Sequence, residues 1–136
     1  MPNCIFCKII SGEIPSYKVY EDEATLAFLD INPVNPGHTL VVPKKHVADI
    51  EEADEETLCL VMKVVKKVGT SLKNNLSATG YNFITLGVNS GSVAGQLVPH
   101  LHFHVIPRAA DDGLKLWPQR PYQPGQAEAI MKKIKL

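Results

Sequence analysis

The seven residues His100-Leu101-His102-Phe103-His104-Val105-Ile106 constrain this chain more than any other stretch. Imidazoles alternate with large apolar side chains, and successive side chains of a β-strand point to opposite faces. The pattern predicts a strand with His100, His102 and His104 on one surface and Leu101, Phe103 and Val105 in the layer behind, closed by Pro107. Three of the chain's five histidines fall here, which argues against mere decoration of a solvent face. Same-face neighbours on a strand lie about 6.6–6.8 Å apart at Cα. A metal centre and a catalytic surface both remain open.

The flanking elements say what such a strand can join. Residues 4 to 11 form an apolar turn or short helix ending at Ser11-Gly12. Tyr17–Glu21 and Thr25–Asp30 suit a hairpin, and Asn32-Pro33-Val34-Asn35-Pro36-Gly37 is a loop because proline cannot donate to a ladder. A strand follows from His38 to Pro43. Residues 54 to 74 predict the one long helix, with Leu58, Val61, Met62, Val65, Val68 and Leu72 at spacings of three and four and Asp54 as N-cap. Tyr81–Val88 is another strand, and Asn89 to Gly95 is a glycine-containing loop that can bring backbone N–H groups to an anion. Beyond Arg108, prolines 118, 121 and 124 interrupt regular structure before a short basic helix from Gln126 to Leu136. The fold class expected is α+β, an antiparallel sheet of about five strands with one long helix and short terminal helices. No glycine-rich phosphate loop follows a first strand, which disfavours a doubly wound nucleotide fold.

Fourteen basic residues offset fourteen acidic ones, so no net field recruits nucleic acid or an anionic membrane, and phosphate chemistry has to be local. The lysines at 63, 66, 67 and 73 read as a solvated helix face. No apolar run approaches the ~20 residues that span a bilayer, and the first residues lack the regions of a signal peptide, so a cytoplasmic protein is expected. In a reducing compartment Cys4-Ile5-Phe6-Cys7 reads as metal or redox chemistry before disulfide, whereas Cys59 is expected to be a small buried residue of the helix.

The histidine stretch matches in full the His-φ-His-φ-His-φ-φ signature, φ being apolar, and so resembles the histidine triad superfamily. Gly95-Gln96-Leu97-Val98, Asp30-Ile31-Asn32-Pro33 and Pro36-Gly37-His38-Thr39-Leu40-Val41-Val42-Pro43-Lys44-Lys45-His46 extend the likeness, which is nearest to the Hint-like nucleoside phosphoramidate hydrolases. The resemblance covers roughly residues 3 to 108, implying a single HIT domain over 1–136 with 109–136 as a tail at a homodimer interface, where Trp117 would fit.

It further implies that His102 is a nucleophile toward the α-phosphorus, oriented by the carbonyl of His100, with His104 on phosphate oxygens and His38 in the surrounding network. Histidine at 104 favours hydrolysis, since related transferases carry glutamine there. Asn89, Gly95, Gln96, Leu97 and Val98 match phosphate-contacting positions. Leu97 departs from the serine or threonine of close relatives, which leaves only its backbone for that contact. Asp30 corresponds to the ribose-binding aspartate, although an Asp before Asn-Pro also starts turns. Ile5, Phe6, Ile9, Phe28, Ile31 and Leu40 match positions that sandwich a purine base, and any of them could be plain core. Cys4, Cys7, His46 and His100 match a structural Zn2+ site. The substrate implied is a purine nucleotide or nucleoside phosphoramidate. The alternatives are a dinucleoside polyphosphate hydrolase, or a nucleotide-binding adaptor whose catalysis is incidental.

Overall fold

The computed structural model describes residues 3–136; residues 1 and 2, the start of the expected 1–136 unit, lie outside the described residues. The chain runs through α1 (Ile5–Ile10), β1 (Lys18–Glu21), β2 (Thr25–Leu29), β3 (Thr39–Pro43), α2 (Glu55–Leu76), β4 (Phe83–Val88), β5 (Phe103–Arg108) and α3 (Gln126–Ile134). All pairings are antiparallel and form one five-stranded sheet in the order β1-β2-β3-β5-β4. The β1–β2 hairpin turns on Asp22, whose Oδ1 accepts from the N–H groups of Ala24 and Thr25.

The two sheet faces carry different layers because strand residues alternate. Ala27, Val41, Leu101, Phe103 and Val105 face α2 and pack with Val61, Val64, Val65 and Val68. Leu26, Phe28, Leu40 and Val42 face the other way, against Phe6 and Ile9 of α1. The histidines of β5 and its approach share this second face. Asp54 caps α2, its carboxylate accepting from the Thr57 N–H at 2.7 Å.

Four expectations are corrected. The strand predicted from His100 begins at Phe103, and His100 sits in a bend before it. Pro43, at the end of β3, has no N–H to give a ladder, and its carbonyl is taken by the His100 side chain at 2.8 Å. Met62 is 44% exposed, and Val64 takes its place in the core. The buried stripe is Val61, Val64, Val65, Val68 and Gly69, rotated by part of a turn from the one expected. Cys59 lies outside this stripe and is exposed. The helix also runs past Asn74-Asn75 to Leu76, and a single 3-10 turn then ends at Gly80. In the tail, Trp117 is 86% exposed.

The loop into β3 depends on Gly37, at φ +96°, where a Cβ would stand 2.9 Å from Leu76 Cδ1 and 3.1 Å from Pro107 Cγ. Gly37→Ala is expected to cost about 2–3 kcal/mol, from a left-handed backbone and overpacking against a proline ring. Urea unfolding of the variant checks this, and an unchanged midpoint would contradict it.

Candidate functional site

A carbonyl oxygen only accepts, which fixes the proton positions around the triad. His102 Nδ1 lies 2.7 Å from the His100 carbonyl, so Nδ1–H donates and Nε2 keeps its lone pair. The Val34 N–H donates to His38 Nδ1 at 3.1 Å, so a neutral His38 carries its proton on Nε2. That proton goes to His104 Nδ1, 2.9 Å away. His104 is then protonated at Nε2. Its ring centroid is 5.1 Å from that of His102. A lone pair and an N–H donor stand on adjacent rings.

Burial holds both outer histidines neutral. His38 is pushed down by burial, with the Asp30 carboxylate opposing, and its Nε2 is 3.7 Å from Asp30 Oδ2. His104 is lowered to about 4, first by burial, then by His102 and His38, against a small opposing effect of Asp30. The unfolded chain takes up a proton near pH 6.5 that the folded His104 refuses until about 4. Its contribution to stability is therefore complete above pH 6.5 and lost as pH falls toward 4. The drop in unfolding free energy between pH 7 and 4 is expected to be smaller in His104→Gln than in the wild type, by about 2 kcal/mol. Denaturant titrations at the two pH values check this, and an equal drop in unfolding free energy in the two proteins would contradict it.

The two rings open on a cavity of about 370 Å³. Its apolar wall comes from α1 and the sheet: Ile5, Phe6, Ile9, Phe28 and Leu40. Asp30, Asn89 and Gly95 line it together with His102 and His104. Ile31 and Leu97, 80% and 89% exposed, line the same cavity with the half-buried Val98. Asp30 starts a turn, its Oδ1 accepting from the Asn32 N–H at 2.8 Å, while its Oδ2 lies 3.7 Å from His38 Nε2. Gln96 is placed differently from expectation. Its side chain donates to the Ala48 and Val98 carbonyls and accepts from the Gly91 N–H, so its amide pins the loop behind Gly95. Ile14, Pro15 and Ser16 also line the cavity. No motif marks them; the only signal is the apolar Ile14-Pro15 pair following α1.

Among the described residues, two groups of side chains bring possible metal-donor atoms within 4.8 Å of one another. In the first, Cys4 Sγ is 3.5 Å from His100 Nδ1, and Cys7 Sγ is 3.3 Å from His46 Nδ1 and 3.6 Å from His100 Nδ1. Tetrahedral Zn–S and Zn–N bonds imply S···N edges of about 3.6 Å, so the donors fit with small adjustment. His100 Nε2–H is committed to the Pro43 carbonyl, which leaves Nδ1 deprotonated toward the thiols. The second group is Asp30, His38 and His104. Here the Val34 N–H on His38 Nδ1 keeps the proton on Nε2, the atom a cation would need, so this group is built to pass hydrogen bonds.

Comparison with known proteins agrees with this arrangement. The HIT domain family matches residues 11–111. An uncharacterized HIT-like protein of Methanocaldococcus jannaschii is 58% identical over 110 residues, covering 81% of this chain and 82% of that protein. The adenosine 5′-monophosphoramidase hnt1 of Schizosaccharomyces pombe is 40% identical over 134 residues, covering 97% and 96%. The crystal structure of a HIT family member from Bacillus subtilis has a TM-score of 0.86 at 40% identity, covering 97% of this chain and 94% of that one. A Zn-bound histidine triad family protein from Mycobacterium smegmatis has a TM-score of 0.72 at 34% identity, covering 94% and 88%. A match that runs from the end of α1 past β5, with relatives similar over nearly their whole length, places one conclusion beyond the fold itself: this chain belongs to the HIT domain family.

Proposed function

We propose that the protein is a nucleotide hydrolase that cleaves purine nucleoside 5′-phosphoramidates through a covalent nucleotidyl-His102. The observation that carries this reading is the pairing of a bare Nε2 on His102 with an N–H donor on His104 at one end of an apolar cavity. The name of the fission-yeast relative, an adenosine 5′-monophosphoramidase, agrees with it.

In the first step His102 Nε2 attacks the α-phosphorus as the P–N bond breaks. The leaving amine keeps the electron pair and takes a proton from solvent water, while His104 Nε2–H donates a hydrogen bond to a phosphate oxygen. The imidazolium formed at His102 still donates Nδ1–H to the His100 carbonyl, which favours the charge. Water then attacks phosphorus and gives up a proton to solvent, and the Nε2–P bond breaks to release the nucleoside monophosphate and return His102 to its neutral form. Asp30 accepts from the ribose hydroxyls, and the apolar wall holds the base. Asn89 and the backbone from Gly95 to Val98 donate to phosphate oxygens, with Gln96 holding that backbone in place. Leu97 offers no hydroxyl there.

A structural Zn2+ suits Cys4, Cys7, His46 and His100, as the donor spacing supports; a closed tetrahedral site of this kind lends rigidity and holds no activated water. Acting as a homodimer is part of the reading, since β4 leaves Phe83 and Leu86 exposed on an edge strand and Trp117 projects from the tail. Sedimentation at a single-chain mass would remove the dimer.

The test is incubation with adenosine 5′-phosphoramidate followed by brief acid quench and intact-mass measurement. AMP release with a transient adenylyl adduct is the expected result. Faster turnover of diadenosine polyphosphate would replace the substrate class, and tight nucleotide binding without any turnover would favour a binding module.

A further inference from the structure

We infer that metal occupancy at Cys4, Cys7, His46 and His100 and nucleotide binding in the cavity are thermodynamically coupled through α1, with Phe6 as the residue that carries the coupling. The inference rests on the nucleotide-binding reading above. α1 is six residues long, too short to be stable alone. Its N-cap is Cys4, whose sulfur accepts from the Cys7 N–H at 3.4 Å, so the sulfur donors also close the helix. The same turn supplies Ile5, Phe6 and Ile9 to the cavity wall. One short element thus belongs to both sites.

Phe6 joins them. Its buried ring stands edge-on to His100 at 5.9 Å, to His102 at 5.1 Å and to Phe28 at 5.6 Å. It touches a residue of the metal group, the proposed nucleophile and the base wall at once. A ligand at either site that fixes α1 relieves the other of part of the cost of ordering it, and such coupling is reciprocal by necessity.

The experiment measures Zn2+ affinity by competition with a chromophoric chelator, with and without saturating AMP, and AMP affinity with and without Zn2+, on the full chain. Each ligand is expected to tighten the other by the same factor, about tenfold or more. In Phe6→Leu the factor falls toward one, whatever happens to the individual affinities. Because the metal-free chain could unfold, the rate of Zn2+ release from the loaded protein to excess chelator is read as well. AMP should slow it about tenfold in the wild type and not in Phe6→Leu. Factors within twofold of one in the wild type, or undiminished coupling in Phe6→Leu, would overturn the inference. Failure of the loaded protein to bind AMP at all would instead remove the nucleotide reading on which it stands.

Discussion

Replacing His102 with alanine is expected to lower phosphoramidate turnover on the order of 10⁴-fold, the scale seen when a nucleophile acting with its partners is removed. Affinity for AMP should stay within about tenfold, because the apolar wall and Asp30 are untouched. The loss is that large because nothing else lining the cavity combines an unprotonated ring nitrogen with a fixed tautomer: His104 Nε2 carries a proton, and His38 spends its proton on His104. His104→Gln should behave in a contrasting way. A glutamine amide can still donate to phosphate, and the related transferases that carry glutamine at this position favour transfer over hydrolysis, so the adenylyl-His102 adduct should form and accumulate. Steady-state rates together with acid-quenched intact masses check both variants. More than about 1% residual turnover in His102→Ala would show that another group attacks phosphorus.

What could be read before the fold was known divides along the reach of the interactions involved. Alternation in a strand is local, so Leu101, Phe103 and Val105 behind and His102 and His104 in front were legible from their spacing alone. The bend at His100 depends on a carbonyl 57 residues away, and no local pattern contains it. Period and rotation separate in the same way on α2. Spacings of three and four admit a stripe through Met62 or one through Val64, and only the sheet's position decides for Val64. Cys59 followed the same rotation out of the core. The Cys4–Cys7 spacing suggested a metal site, but its joining with His46 and His100 required β3 and β5 as neighbours. The direction of the His38–His104 hydrogen bond was illegible in any form. It is set by the backbone N–H of Val34, which a sequence displays at every position alike.

Removing the metal is expected to have the second large effect, on stability. A ligand bound only by the folded state contributes RT ln(1 + [L]/Kd), about 4 kcal/mol when it is present at 1,000 times its Kd. For a chain of 136 residues that corresponds to a fall in Tm of roughly 10–15 °C. Chelator added to zinc-loaded protein, or Cys4→Ser, should produce this fall, and calorimetry reads it directly. The protein should nonetheless retain its β2–β3–β5 core, because the cluster packed against α2 contains none of the four donors. Loss should therefore concentrate in α1 and the segment around His46 and His100. Hydrogen exchange would locate it: the Leu101 N–H, bonded to the Val47 carbonyl at 2.8 Å, should lose protection, while Val61 to Val68 of α2 keep theirs. Uniform loss across both layers would mean that the metal group and the core unfold as one unit, and an unchanged Tm would mean that these four side chains hold no metal.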